Sequence, residues 1–98
     1  MTREDDLYEL ASRVCDLMRD NGYMTGPCAL GLQERTARNG NTFYDCVFSI
    51  SRYADGAVSI FGPRSFYANW IQGRYRGNER FRSYDEIEEW IVNNGWAR

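Results

Sequence analysis

Apolar residues near the start of the chain fall at Leu7, Leu10, Ala11, Val14 and Met18, with Leu17 on the margin of the same stripe. Spacings of three and four place these side chains on one face of an α-helix, and Glu9, Arg13, Asp16, Arg19 and Asp20 fall mostly on the wet side. Thr2 followed by Asp5 approximates a capping pattern, and Glu4, Asp5 and Asp6 suit the positive end of the helix dipole. Asn21-Gly22 supplies the left-handed stop. After a connector over residues 23–27 the period changes from 3.6 to 2.

Residues 28–36 and 42–53 read as two extended runs around Ala37-Arg38-Asn39-Gly40-Asn41, where Asn39-Gly40 is a hairpin signal. In the second run Tyr44, Cys46, Phe48 and Ile50 share one face and Phe43, Asp45, Val47, Ser49 and Ser51 the other, so the first set is expected to meet the helix. Asp55-Gly56 reads as a turn into a third strand over residues 57–61, ended by Gly62-Pro63. Residues 64–82 admit two readings: Ser65 capping a short helix that carries Phe66 and Trp70 four apart, or a hairpin around Gly77-Asn78. Ser83-Tyr84-Asp85-Glu86 matches a capping box, Ile87, Trp90 and Ile91 have helical spacing, and Asn94-Gly95 stops the second helix.

The expected fold is therefore a single α+β domain over residues 1–98. An N-terminal helix leads into a three-stranded antiparallel meander, with room for a fourth short strand or short helix, and a C-terminal helix packs on one sheet face. Leu10, Val14, Phe48, Ile50, Ile87 and Trp90 are expected to share its core. No internal repeat or low-complexity segment divides the chain.

A hydrophobic share of 43% and a charged share of 27% belong to a folded protein rather than a disordered tail. No run approaches the roughly 20 apolar residues of a membrane helix, and the acidic start differs from a secretory signal, so a cytoplasmic protein without membrane contact is expected. Cys15, Cys28 and Cys46 are odd in number and widely spaced, which predicts small buried hydrophobes rather than a disulfide framework or a metal site. The chain has no histidine and no lysine. That removes the commonest general base, Schiff-base chemistry and the phosphate-loop lysine, and no nucleophile-elbow or metal-loop motif is present. A non-enzymatic protein that needs no cofactor and no metal follows as the expectation.

Charge distribution makes a binding surface the more informative possibility. Residues 1–34 carry a net −4, residues 35–82 a net +5 and residues 83–98 a net −3. The densest basic stretch sets Arg64, Arg74, Arg76, Arg80 and Arg82 among Tyr67, Trp70 and Tyr75. Arginine beside aromatic rings serves both protein hot spots and nucleic-acid stacking surfaces. A protein partner is favoured over nucleic acid, because a pI near 5.1 opposes phosphate attraction. Trp70 or Tyr75 would then act as the aromatic anchor and Arg74 or Arg76 as the bidentate donor. The alternative surface is acidic: Asp85, Glu86, Glu88 and Glu89 on the last helix, or the carboxylates of the first, occupying a basic groove as nucleic acid would.

By size, acidity and a helix-meander-helix plan, the chain resembles the small inhibitor proteins of phages and mobile elements, of the anti-CRISPR type. The resemblance implies a stoichiometric inhibitor that docks on a CRISPR or other nucleic-acid-handling effector. No motif is shared, so no residue role carries over. The arginine-rich, lysine-free composition departs from the familiar acidic members and argues against pure DNA mimicry.

Overall fold

A computed structural model describes residues 3–24, 32–50 and 53–97, with side chains in the first helix from Asp6 onward. Helix α1 (Arg3–Asp20) is followed by five strands, β1 (Leu32–Thr36), β2 (Thr42–Ile50), β3 (Ala54–Gly62), β4 (Ser65–Gln72) and β5 (Tyr75–Phe81), and then helix α2 (Tyr84–Val92). The strands pair antiparallel in chain order, β1-β2-β3-β4-β5. Both helices lie on one side of this sheet. The class is the expected α+β, with five strands where the sequence predicts three and room for a fourth.

The additional strands come from residues 64–82, where neither expected reading holds. Ser65 opens a strand rather than capping a helix, and the β4–β5 turn falls at Gly73-Arg74, with Gly73 at φ +62°, instead of at Gly77-Asn78. Residues four apart share a face in a strand as well as in a helix, so the pair Phe66 and Trp70 could not separate the two. Gly77 has a packing role. It lies opposite Trp70 in the ladder, and a Cβ there would run into the indole ring. Gly56, expected in a turn, is the neighbour of Trp70 on the other side, inside β3. The β2–β3 turn comes earlier, where the Tyr53 amide donates to the Ile50 carbonyl at 2.9 Å. Trp70 thus has a glycine beside it on each neighbouring strand: its indole fills the space at Gly77, and the Phe48 ring and the Asn69 carbonyl crowd the space at Gly56.

Terminators behave as their chemistry predicts. Gly22 takes φ +87° while the Tyr23 amide returns to the Met18 carbonyl at 2.9 Å. Gly40 takes the same φ in the β1–β2 turn. At α2 the Glu86 amide donates to the Ser83 hydroxyl at 3.2 Å, and the Glu86 carboxylate accepts from the Arg82 amide at 2.9 Å. The helix ends with Asn94 at φ 54° and the Gly95 amide on the Trp90 carbonyl. The expected cap at Thr2 lies outside the described residues, as do residues 28–31 of the first extended run and residues 51 and 52 of the second.

Trp90 is the centre of the core. Its ring lies 5.3 Å from Trp70, 5.9 Å from Phe81, 6.2 Å from Phe48 and 6.4 Å from Tyr23. Of the six expected core residues, Val14, Phe48, Ile87 and Trp90 are buried and Leu10 and Ile50 pack at the margin. The Arg13 guanidinium of α1 sits 4.7 Å above the Tyr84 ring of α2, and Tyr23, just after α1, donates its hydroxyl to the Ile91 carbonyl of α2 at 2.9 Å.

The cysteines correct the sequence reading. Cys15 of α1 and Cys46 of β2 are buried as expected, but they are joined as a disulfide, with Cα atoms 6.0 Å apart. Neither number nor spacing could show this, because the partners lie 31 residues apart and meet only when α1 settles on the sheet. A crosslink closing a loop of that size contributes about 3–4 kcal/mol by restricting the unfolded chain. Cys28 lies outside the described residues.

Candidate functional site

With both helices on one side, the opposite side of the sheet is left without a layer over it among the described residues. Strict alternation decides what it presents. Tyr44, Cys46 and Phe48 of β2, Val58 and Ile60 of β3, and Phe66, Ala68 and Trp70 of β4 point to the helices and are buried. Their neighbours point outward. Across the middle of the open face Val47 pairs with Ala57, Ala57 with Asn69 and Asn69 with Asn78. A flanking row runs Ser49, Asp55, Ile71, Arg76, and the other runs Asp45, Ser59, Tyr67, Arg80.

Two of these side chains are apolar and open to solvent, Val47 at 38% and Ile71 at 44% exposure. Around them the polar groups are largely pre-ordered. Asp45 accepts from the Ser59 hydroxyl and from Arg35 Nε at 3.1 Å, and Arg35 also donates to the Gln33 side chain at 2.8 Å. The Arg80 guanidinium lies 5.0 Å over the Tyr67 ring, which restrains both before any partner arrives. At one end Phe43 and Phe61 stack with centroids 4.7 Å apart and, with Arg80, line a groove of about 460 Å³. Asp45 is matched by Arg35 and Asp55 remains an exposed carboxylate of β3, while the charge that β5 adds to this face, Arg76 and Arg80, is cationic.

The expected binding residues separate into groups. Tyr67, Arg76 and Arg80 come together on the open face. Arg64 and Arg74 are exposed in the turns at opposite ends of β4, about 25 Å apart at strand rise, so one small epitope does not include both. Tyr75 stands on the helix side, exposed by 36%, and Arg82 is exposed beyond the end of β5. Trp70 is a correction: at 6% exposure it belongs to the core, because Gly77 opposite it leaves the space its indole fills, and it is not available as an anchor. Asp85, Glu86, Glu88 and Glu89 are all exposed on α2.

Val47, Asn69, Ile71 and Asn78 were not among the candidate residues. The signal for Asn69 and Ile71 was the alternation Phe66, Ala68, Trp70 against Tyr67, Asn69, Ile71, which is legible once the segment is read as a strand. Elsewhere, burial pushes the Tyr23 phenol up to about 12. No three His, Cys, Asp or Glu side chains converge on a possible metal position among the described residues. No helix among them is long and apolar enough to cross a membrane. No family model, curated protein or solved structure matches the chain.

Proposed function

We propose that this protein is a non-enzymatic binding module that engages another protein through the open face of its sheet. The observation that carries the reading is that this face pairs exposed apolar side chains, Val47 and Ile71, with the ordered Tyr67 and Arg80 pair. Exposed apolar side chains on one face with tyrosine and arginine have the composition of an interface hot spot, and side chains already held in place lose less entropy on binding. The partner class implied by the resemblance to small phage inhibitors is a CRISPR or other nucleic-acid-handling effector. Blocking such a machine needs only tight docking, which fits a face without catalytic chemistry.

The test is capture of a partner from the source cell, followed by titration with Ile71→Ser and Arg80→Ala beside a matched Asp85→Ala, Glu89→Ala double variant, each checked for folding. The open-face variants are expected to weaken binding at least about 30-fold, the loss that truncating an anchor worth 2 kcal/mol gives. Loss confined to the acidic pair moves the interface to α2 and to charge mimicry. A mobility shift with single- or double-stranded nucleic acid that falls steeply with salt and disappears in Arg76→Ala, Arg80→Ala replaces the protein partner by nucleic acid.

A further inference from the structure

The two sides of strand β5 carry opposite charge. In the two-residue β4–β5 hairpin Gln72 and Tyr75 form the closing hydrogen-bonded pair, and hydrogen-bonded positions then alternate along the ladder. Tyr75, Gly77, Glu79 and Phe81 therefore direct their backbone groups to β4, while Arg76, Asn78 and Arg80 direct theirs outward. Nothing follows β5 in the sheet order, and among the described residues no backbone group outside the ladder pairs with those three. Their side chains stand on the open face and are cationic at both ends. On the helix side of the same edge, a groove of about 350 Å³ floored by Phe81 and Trp90 is lined by Glu79, Glu86 and Glu89 together with Arg80 and Asn93, three carboxylates against one guanidinium.

We propose that this edge accepts an extended segment of a protein partner as a sixth strand, whose side chains alternate between acidic residues over Arg76 and Arg80 and cationic residues over Glu79, Glu86 and Glu89. The proposal rests on the protein-binding reading above and specifies what the partner presents. Strand addition satisfies the outward amides and carbonyls, and the side-chain alternation supplies selectivity. Opposite charges facing each other across strands stabilise the pairing, and like charges destabilise it. A long cationic side chain on the helix side can lay its stem on Phe81 and Trp90 while its charge meets the glutamates. A second copy of this chain fits poorly. Pairing antiparallel about Asn78 sets arginine against arginine, whereas a segment of alternating charge matches both sides at once.

The experiment is amide hydrogen exchange on the isotope-labelled protein with two short capped peptides, one alternating Glu and Arg, the other with the same residues in two blocks. The alternating peptide is expected to slow exchange at Arg76, Asn78 and Arg80 about tenfold near saturation, with the effect weakening as salt rises. The block peptide leaves these amides unchanged. Asn78→Pro, which removes one outward donor at an edge position that tolerates proline, abolishes the protection. Protection by neither peptide, or equally by both, overturns the proposal, and this comparison needs only the unsubstituted protein. With the captured partner the two readings separate. Binding that survives Asn78→Pro but is lost in Ile71→Ser overturns strand addition and keeps the open face, whereas binding indifferent to both removes the open-face reading itself.

Discussion

The two faces of this sheet are built from the same strands, residue by residue in alternation, yet they do opposite things. The helix face gathers Phe48, Trp70 and Phe81 around Trp90, buries Phe66 in the same core and excludes water. The open face keeps Arg, Asn, Ser and Asp with Val47 and Ile71 among them, and nothing among the described residues covers it. Aromatic content alone therefore does not mark a binding surface. Within residues 64–82 the rings of Phe66, Trp70 and Phe81 serve stability, and only Tyr67 and Tyr75 remain accessible enough to serve recognition.

This contrast is open to direct attack. The largest effect is expected from Phe48→Ala, whose ring lies fully inside the helix face. Lost transfer energy and a cavity next to Trp90 should lower stability by about 3–5 kcal/mol, a large share of what a small domain has. An unchanged denaturation midpoint would remove Phe48 from the core. Gly77→Ala comes next, because its new methyl group meets the Trp70 indole, and forcing the ring aside should cost about 1–3 kcal/mol. A neutral result in urea denaturation would show that the glycine is there for another reason.

A smaller effect concerns Tyr23. Its folded-state value of about 12 lies above the ordinary 10.0, so the protonated phenol is the form that the fold favours. The corresponding stability is fully present below pH 10 and is lost as pH rises from about 10 towards 12. Tyr23→Phe should flatten that part of the pH profile and remove the hydrogen bond to Ile91, at a cost of about 1 kcal/mol near neutrality. An identical alkaline slope in the variant would locate the titrating group elsewhere. The smallest effect on stability is expected on the open face. Ile71→Ser should stay within about 0.5 kcal/mol, as exposed substitutions do, while binding suffers. If it destabilises instead, Ile71 is supporting the fold and the functional contrast between the faces weakens.

How far each surface could be foreseen depends on how local its cause is. Helix α1 follows from the stripe Leu7, Leu10, Ala11, Val14 and Met18 and from Asn21-Gly22, and α2 from Ser83 with Glu86, because periodicity and capping act within a few residues. The inward set Tyr44, Cys46, Phe48 and Ile50 is equally local. The segment 64–82 resisted the same treatment because Phe66 and Trp70 satisfy helical and extended spacing alike, and because Gly77-Asn78 has the chemistry of a turn.

Read alone, the chain gives away the α+β class, the two helices with the stop of the first and both ends of the second, the β1–β2 turn and the face that β2 buries. It also carried the chemical character of the candidate site, arginine with aromatic rings and without histidine or lysine. The assembled fold adds that residues 64–82 complete a five-stranded sheet, that Trp70 is core while Tyr67 faces out, and that Cys15 reaches Cys46. It also decided that Val47, contributed by a distant strand, shares a surface with Ile71 and Arg80. The physical reason is common to all of these. Each depends on which strand lies beside which, and strand pairing joins residues far apart in the chain through contacts that no local spacing encodes.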